Sequence, residues 1–146
     1  MTISALVSIG YQGRDIDDLV TQLIANKVNV LVDVRLTPLS RKPGLSKRRL
    51  AERLESEGIR YIHTRALGNP KENRDGFRAG LRSSLEIFAQ HIEANDAAEA
   101  IQHIAELMDG EVVALLCFER EHQACHRHIV AKSVLHRVPE APLLEL

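Results

Sequence analysis

Four short apolar runs, ALVSI (5–9), VNVLVDV (28–34), IRYIH (59–63) and VVALLC (112–117), are separated by longer segments whose apolar residues recur at helical spacing. Strands that alternate with helices are built into a parallel sheet covered on both faces. The expectation is an α/β fold, a Rossmann-like three-layer sandwich around a mainly parallel central sheet of four or five strands. VVALLC is the most hydrophobic run and is expected at the centre of the sheet. PLLEL (142–146) can add an edge strand, where Pro142 is tolerated.

At 146 residues the chain is read as one α/β domain, 1–146, large enough to bury a core without a disulfide or metal staple. Five aromatic residues, none of them Trp, leave that core to Leu, Ile, Val and Ala. The first ten residues lack the basic start of a signal peptide, and their apolar run breaks at Gly10. With no membrane-span pattern, a cytoplasmic location is expected, in which two cysteines stay reduced thiols.

The first helix should begin near Asp15 as its cap, with Ile16, Leu19, Val20, Leu23 and Ile24 at helical spacing on one inner face. A second, capped by Ser46, should turn Leu50 and Leu54 inward and stop at Gly58. Residues 81–108 read as helix in two pieces, the second opened by a capping-box-like Asp96 and Glu99, with His91 and His103 facing solvent. The last helix should span 125–137 and end before Pro139. Residues 64–80 have no sustained period and many turn formers, as a functional loop or lid does.

In a parallel sheet every strand ends at the same edge, and ligands bind beyond those carboxyl ends where the strand order reverses. Gly10 and Tyr11 leave the first strand there, Asp33 and Arg35 the second, Cys117 and Glu119 the fourth. Asp33 and Arg35, two apart, share a strand face and can pair while Arg35 keeps donors for an anion, or can form a purely structural pair. Gly10 lets a backbone approach closely. Cys125, His126 and Arg127 fall at the start of the last helix, where unpaired N–H groups favour a phosphate or a thiolate. Cys125 is then either an activated thiol or a small capping residue, and Cys117 either a nucleophile or plain core packing.

Metal binding by Cys117, His122, Cys125 and His126 is set aside at this level. Their C-x4-H-x2-C-H spacing matches no standard zinc pattern, and adjacent Cys125 and His126 on a helix cannot easily face one ion. Charge is uneven: residues 35–53 hold seven Lys or Arg and one acid, whereas 83–113 hold seven acids and no Lys or Arg. Such polarity can steer an anion to one side, or simply mark two solvated faces.

The segments SIGYQGRDIDDLVTQL, LVDVRLTPLSRKPGLSK, LAERLESEGIRYIHTRALG and ALLCFEREHQACHRHIVAKSVL, in that order, resemble the prokaryotic family called domain of unknown function 488 over nearly the full chain. The resemblance implies a compact three-layer α/β domain that gathers Gly10, Asp33, Arg35, Cys117, Glu119, Cys125, His126 and Arg127 into one pocket. A hydroxyl residue frequent in that family is replaced here by Gln12.

Three readings follow. The leading one is an enzyme, or a domain derived from one, that binds a phosphate-bearing ligand such as a nucleotide or nucleic acid; Arg35 and Arg127 hold phosphate and Glu119 or His126 moves a proton. The second is thiol chemistry similar to rhodanese or phosphatase sites, with Cys117 as nucleophile and Cys125 as resolving partner. The third is a non-catalytic nucleic-acid-binding module using Arg41, Lys42, Lys47, Arg48, Arg49 and Arg53. No cofactor and no oligomeric state are implied by the residues.

Overall fold

The computed structural model describes residues 4–146. Its five strands are β1 (Ala5–Gly10), β2 (Val30–Asp33), β3 (Arg60–His63), β4 (Val112–Cys117) and β5 (Leu143–Glu145). They form one sheet in the order β3-β2-β4-β1-β5, every pairing parallel. β4 lies in the middle, as its unbroken apolar sequence requires, and β5 is the edge strand formed by the residues after Pro142.

Helices α1 (Ile16–Ala25) and α2 (Lys47–Ser56) cover one face of the sheet; α4 (Arg82–His91), α5 (Asn95–Leu107) and α6 (Arg127–Arg137) cover the other. On the first face Leu19, Leu23, Leu50 and Leu54 pack on Val7, Ile9, Leu31 and Leu116, whereas Ile24, expected on the inner face of α1, is half exposed at the rim. On the second, Phe88, Ile101, Ile104, Val130 and Val134 pack on Leu6, Val32, Val113 and Leu115. Alternate residues of each strand thus serve two cores, the outcome of side chains that switch sides at every step. No helix among the described residues is long and apolar enough to cross a membrane.

Asp15 caps α1 as expected: its carboxylate accepts from the Asp18 amide at 2.8 Å, and Asp18 reaches back to complete a capping box. Ser46 occupies the cap position of α2, but its hydroxyl bonds the backbone of Ser40 instead and closes the loop ahead of the helix. α5 starts at Asn95 behind Ala94, one residue before the expected Asp96 cap, so that Asp96 sits in the first turn where the helix dipole favours an acid. His91 does not face solvent: it stacks on Phe88 and bonds the Ala66 carbonyl at 2.9 Å, while His103 is exposed.

The unpatterned 64–80 segment is ordered as short 3-10 turns at Arg65–Leu67 and Lys71–Asn73 and the five-residue helix α3 (Arg74–Arg78). Asn73 pins it by donating to Asn69 Oδ1 at 3.0 Å and to the Ser84 carbonyl at 2.9 Å. Buried Phe77 meets Phe88 edge to face, which docks α3 against α4 above the sheet edge.

Candidate functional site

The chain leaving β4 passes to the face that holds α6, whereas β1 and β2, on either side of it, pass to the face of α1 and α2. The carboxyl end of β4 is therefore flanked by reversals of direction, where a parallel sheet opens a crevice. A cavity of about 150 Å³ lies there, with Tyr11, Arg35, Cys117, Glu119 and His126 on its wall. The 64–80 segment closes it from the outside and contributes Asn69, Arg74 and Arg78.

Arg35 reaches the cavity from a rigid mount. Its Nε and Nη2 donate to the two carboxylate oxygens of Asp33 at 2.8 and 2.7 Å, and its Nη1 donates to the Leu45 carbonyl at 2.7 Å. Asp33 is fully buried and accepts a further bond from the Tyr61 hydroxyl. Burial by itself would lower the Arg35 pKa, but its bonds to Asp33 and that residue's charge raise it above the ordinary value. Asp33 does not line the cavity; it aims Arg35.

Cys117 ends β4 with its side chain on the α6 face. From there the chain crosses the carboxyl edge of β1 and returns to α6. Gly10 makes that crossing possible, since a Cβ on it would overlap the Glu119 carbonyl oxygen. The close approach anticipated at Gly10 is thus to the chain's own loop. Arg127, wholly buried, holds the same loop: Nε donates to Ser8 Oγ at 2.6 Å, Nη1 to the Glu119 carbonyl and Nη2 to the Arg120 carbonyl at 3.1 Å.

Arg127 therefore does not open on the cavity, against the expectation that it would hold an anion there. Its donors meet the carbonyls of a loop that otherwise would bury them unpaired. Ser8, which accepts from Arg127, also shares a hydrogen bond with His122 Nδ1 at 2.6 Å and fixes a second point of the loop.

The last helix begins at Arg127, not at 125. Cys125 is extended (φ −110, ψ 144) and His126 is the cap residue with αR backbone angles (φ −58, ψ −19). This break turns the two neighbouring side chains toward each other: Cys125 Sγ lies 3.7 Å from His126 Nδ1, and Cys117 Sγ lies 3.9 Å from the same nitrogen. The geometric objection to a joint role for Cys125 and His126, which assumed a helix at both positions, disappears. His126 Nε2 sits 2.9 Å from the Val34 carbonyl and must be its donor, because a carbonyl only accepts.

All three groups are buried, Cys125 at 1% exposure directly behind the cavity wall. The bond to Cys125, burial and the Cys125 and Glu119 charges push the Cys117 thiol up. Burial opposes ionisation of Cys125 too, but the Cys117 bond and the neighbouring His126 and Arg127 outweigh it and hold this thiol well below its usual range. Against the opposing effect of burial, Cys125 and the Val34 carbonyl raise His126. Glu119 spans the cavity mouth, with Oε2 3.7 Å from Cys117 Sγ and Oε1 3.0 Å from Arg78 Nε.

Fold and site together define a parallel α/β domain with a small pocket of guanidinium groups and paired thiols at the carboxyl edge of its sheet. The chain belongs to the family described as Domain of unknown function DUF488, whose model matches residues 15–134. Gly10 and Tyr11 lie outside the matched span. No curated protein and no solved structure matches the chain.

Of the residues singled out in the sequence, Tyr11, Arg35, Cys117, Glu119 and His126 share the cavity, Cys125 backs it, and Asp33, Gly10 and Arg127 support it. Asn69, Arg74 and Arg78 were not anticipated. Their only signal was the long polar segment after β3.

Proposed function

We propose that this pocket is the active site of an enzyme for a small anionic substrate, or for the anionic end group of a larger phosphate-bearing one. The observation that carries this reading is the set of three guanidinium groups, Arg35, Arg74 and Arg78, around one cavity whose wall holds a single carboxylate, Glu119. Arg74 has no ion-pair partner among the described residues, and Asn69, whose oxygen is taken by Asn73, keeps its amide nitrogen for a ligand. Planar guanidinium donors match phosphate and carboxylate oxygens two at a time.

Size narrows the substrate. Pockets for whole drug-sized ligands occupy about 300 Å³ or more, so a 150 Å³ cavity takes a phosphoryl, sulfuryl or carboxyl group and leaves the rest of a nucleotide outside. Arg74 and Arg35 hold the charge, and Glu119 transfers a proton at the mouth, a role worth about 10²–10⁴ in rate.

Two features speak against the thiol-nucleophile reading: the Glu119 carboxylate stands 3.7 Å from Cys117 Sγ and opposes a thiolate there, and Arg127 is turned away to backbone carbonyls. The nucleic-acid module is weakened by its own basic segment. Lys42 is bound to the Tyr11 and Arg14 carbonyls, Arg53 to Asp17 and Arg48 to Glu52.

The test is calorimetric titration of the protein with orthophosphate and pyrophosphate. Saturable binding of one anion, lost in Arg74→Ala with an unchanged circular dichroism spectrum, is the expected result. Equal binding by both proteins, or none by either, would overturn the reading.

A further inference from the structure

The paired thiols and His126 are not needed to hold an anion, yet the fold brings them together with care. We propose that Cys117, Cys125 and His126 form a zinc site with three protein ligands and a fourth position open to the cavity. The site stands on its own ligands and does not depend on the anion reading.

The three ligand atoms lie within 4.8 Å of one another. In a tetrahedral site with Zn–S of about 2.3 Å and Zn–N of about 2.0 Å, neighbouring S and N atoms are separated by about 3.6 Å. The observed separations from His126 Nδ1, 3.9 Å to Cys117 and 3.7 Å to Cys125, are within a few tenths of that value. The two sulfurs lie within 4.8 Å of each other, against about 3.8 Å across a tetrahedral ion with two Zn–S bonds.

The imidazole is prepared for the same task. Its Nε2–H is committed to the Val34 carbonyl at 2.9 Å, which orients the ring and turns Nδ1 to the sulfurs. Metal-binding histidines characteristically donate their other ring nitrogen in this way. Val34 follows β2 directly, so the orienting group belongs to the sheet and the ligands to β4 and the start of α6.

Charge and chemistry select the ion. Two thiolates and a neutral imidazole around a dication leave no net charge, which suits a cluster as buried as this one. Thiolate with imidazole donors, rather than oxygen donors, favours zinc over magnesium or calcium. On binding, the thiols release their protons to solvent and the imidazole binds unprotonated at Nδ1.

Cys117 and His126 also line the cavity, so the vacant position of a three-ligand site faces the place where the substrate group is held. Three protein ligands with one open position is the arrangement of catalytic rather than purely structural zinc. An oxygen of the bound anion, or a water beside Glu119, would complete the coordination.

Anaerobic titration of the reduced full-length protein with cobalt(II) tests the site. One equivalent should produce thiolate-to-cobalt charge-transfer bands and the intense visible bands of tetrahedral cobalt, both removed by one equivalent of zinc. Cys125→Ser and His126→Gln should each weaken binding by about tenfold or more, and Cys125→Ser should also reduce the charge-transfer intensity. Arg74→Ala should give the wild-type cobalt spectrum even where anion binding is lost, which separates failure of this proposal from failure of the anion site. Absence of these bands in wild-type protein whose two thiols titrate as free, or bands indifferent to Cys125→Ser, would overturn the proposal.

Discussion

The buried guanidinium of Arg127 donates to the backbone carbonyl of Glu119, and through that bond the first turn of α6 governs the loop that leaves the central strand. With further bonds to Ser8 and the Arg120 carbonyl, Arg127 acts as a clamp on the loop between Cys117 and Cys125. The cavity wall owes its shape to a residue that never touches its contents.

Replacing Arg127 by Met should therefore act on stability first. The buried Ser8 hydroxyl and two part-buried carbonyls lose a donor, at about 1–3 kcal/mol for each group left unpaired and out of water. Urea denaturation should show a loss on the order of 3 kcal/mol or more. A variant of wild-type stability that merely failed to bind anions would instead restore Arg127 to the ligand site.

Gly10→Ala places a methyl group in the Glu119 carbonyl. Because the obstacle is main chain on both sides, the loop must move, at about 1–3 kcal/mol or somewhat more. The expected readout is a lowered denaturation midpoint together with amide chemical-shift changes at 117–126, far along the chain from the substitution. Shifts confined to β1 would contradict the packing described here.

Asp33→Ala removes the partner that holds Arg35 in place. A charge left buried and unpaired costs about 3–5 kcal/mol, so this variant should be among the most damaging single changes in the sheet. Tyr61→Phe, which deletes one bond to the same carboxylate and leaves the Arg35 pair in place, should cost less, about 1.5–3 kcal/mol. Chemical denaturation of the two variants checks the order, and equal losses would show that the Asp33–Arg35 pair is not the dominant interaction.

Acid should weaken the loop through His122. Burial holds its imidazole below the usual range; Arg127 and His128 push in the same direction, while Glu145 and Cys125 oppose. Its Nδ1 lies 2.6 Å from Ser8 Oγ, which ties the ring to the clamp that Arg127 forms on the loop. Since the folded value lies below the unfolded value of about 6.5, this contribution is complete above about pH 6.5 and is lost as pH falls below it. Comparing urea midpoints between about pH 7 and pH 5 should show a steeper acid loss for wild type than for His122→Asn; parallel curves would contradict the assignment.

The alternation of apolar runs and helical periods was enough to anticipate the three layers, the central place of 112–117 and the edge strand after Pro142, because burial on both faces leaves its mark in every residue of a strand. Capping at Asp15 was equally legible, being a bond between residues three apart. What the sequence hides is convergence. Arg74 and Asn69 reach the cavity only because Asn73 and Phe77 dock their segment onto α4, contacts that no local pattern encodes. Cys125 and His126 looked divergent while both were assigned to a helix; a single extended residue before α6 reverses that conclusion. Arg127 looked like a ligand because a cation at a strand–helix junction has the same sequence signature whether it faces a pocket or its own backbone.

The proposed anion site holds a tetrahedral anion among Arg74, Arg35 and Asn69 beyond the end of β4. Crystals grown or soaked with tungstate, whose anomalous signal marks the anion without ambiguity, test it most directly. A tungsten peak inside the cavity, within hydrogen-bonding reach of the Arg74 guanidinium, is the expected result. Tungstate bound only elsewhere on the surface, with the cavity free of it at saturating concentration, would contradict it.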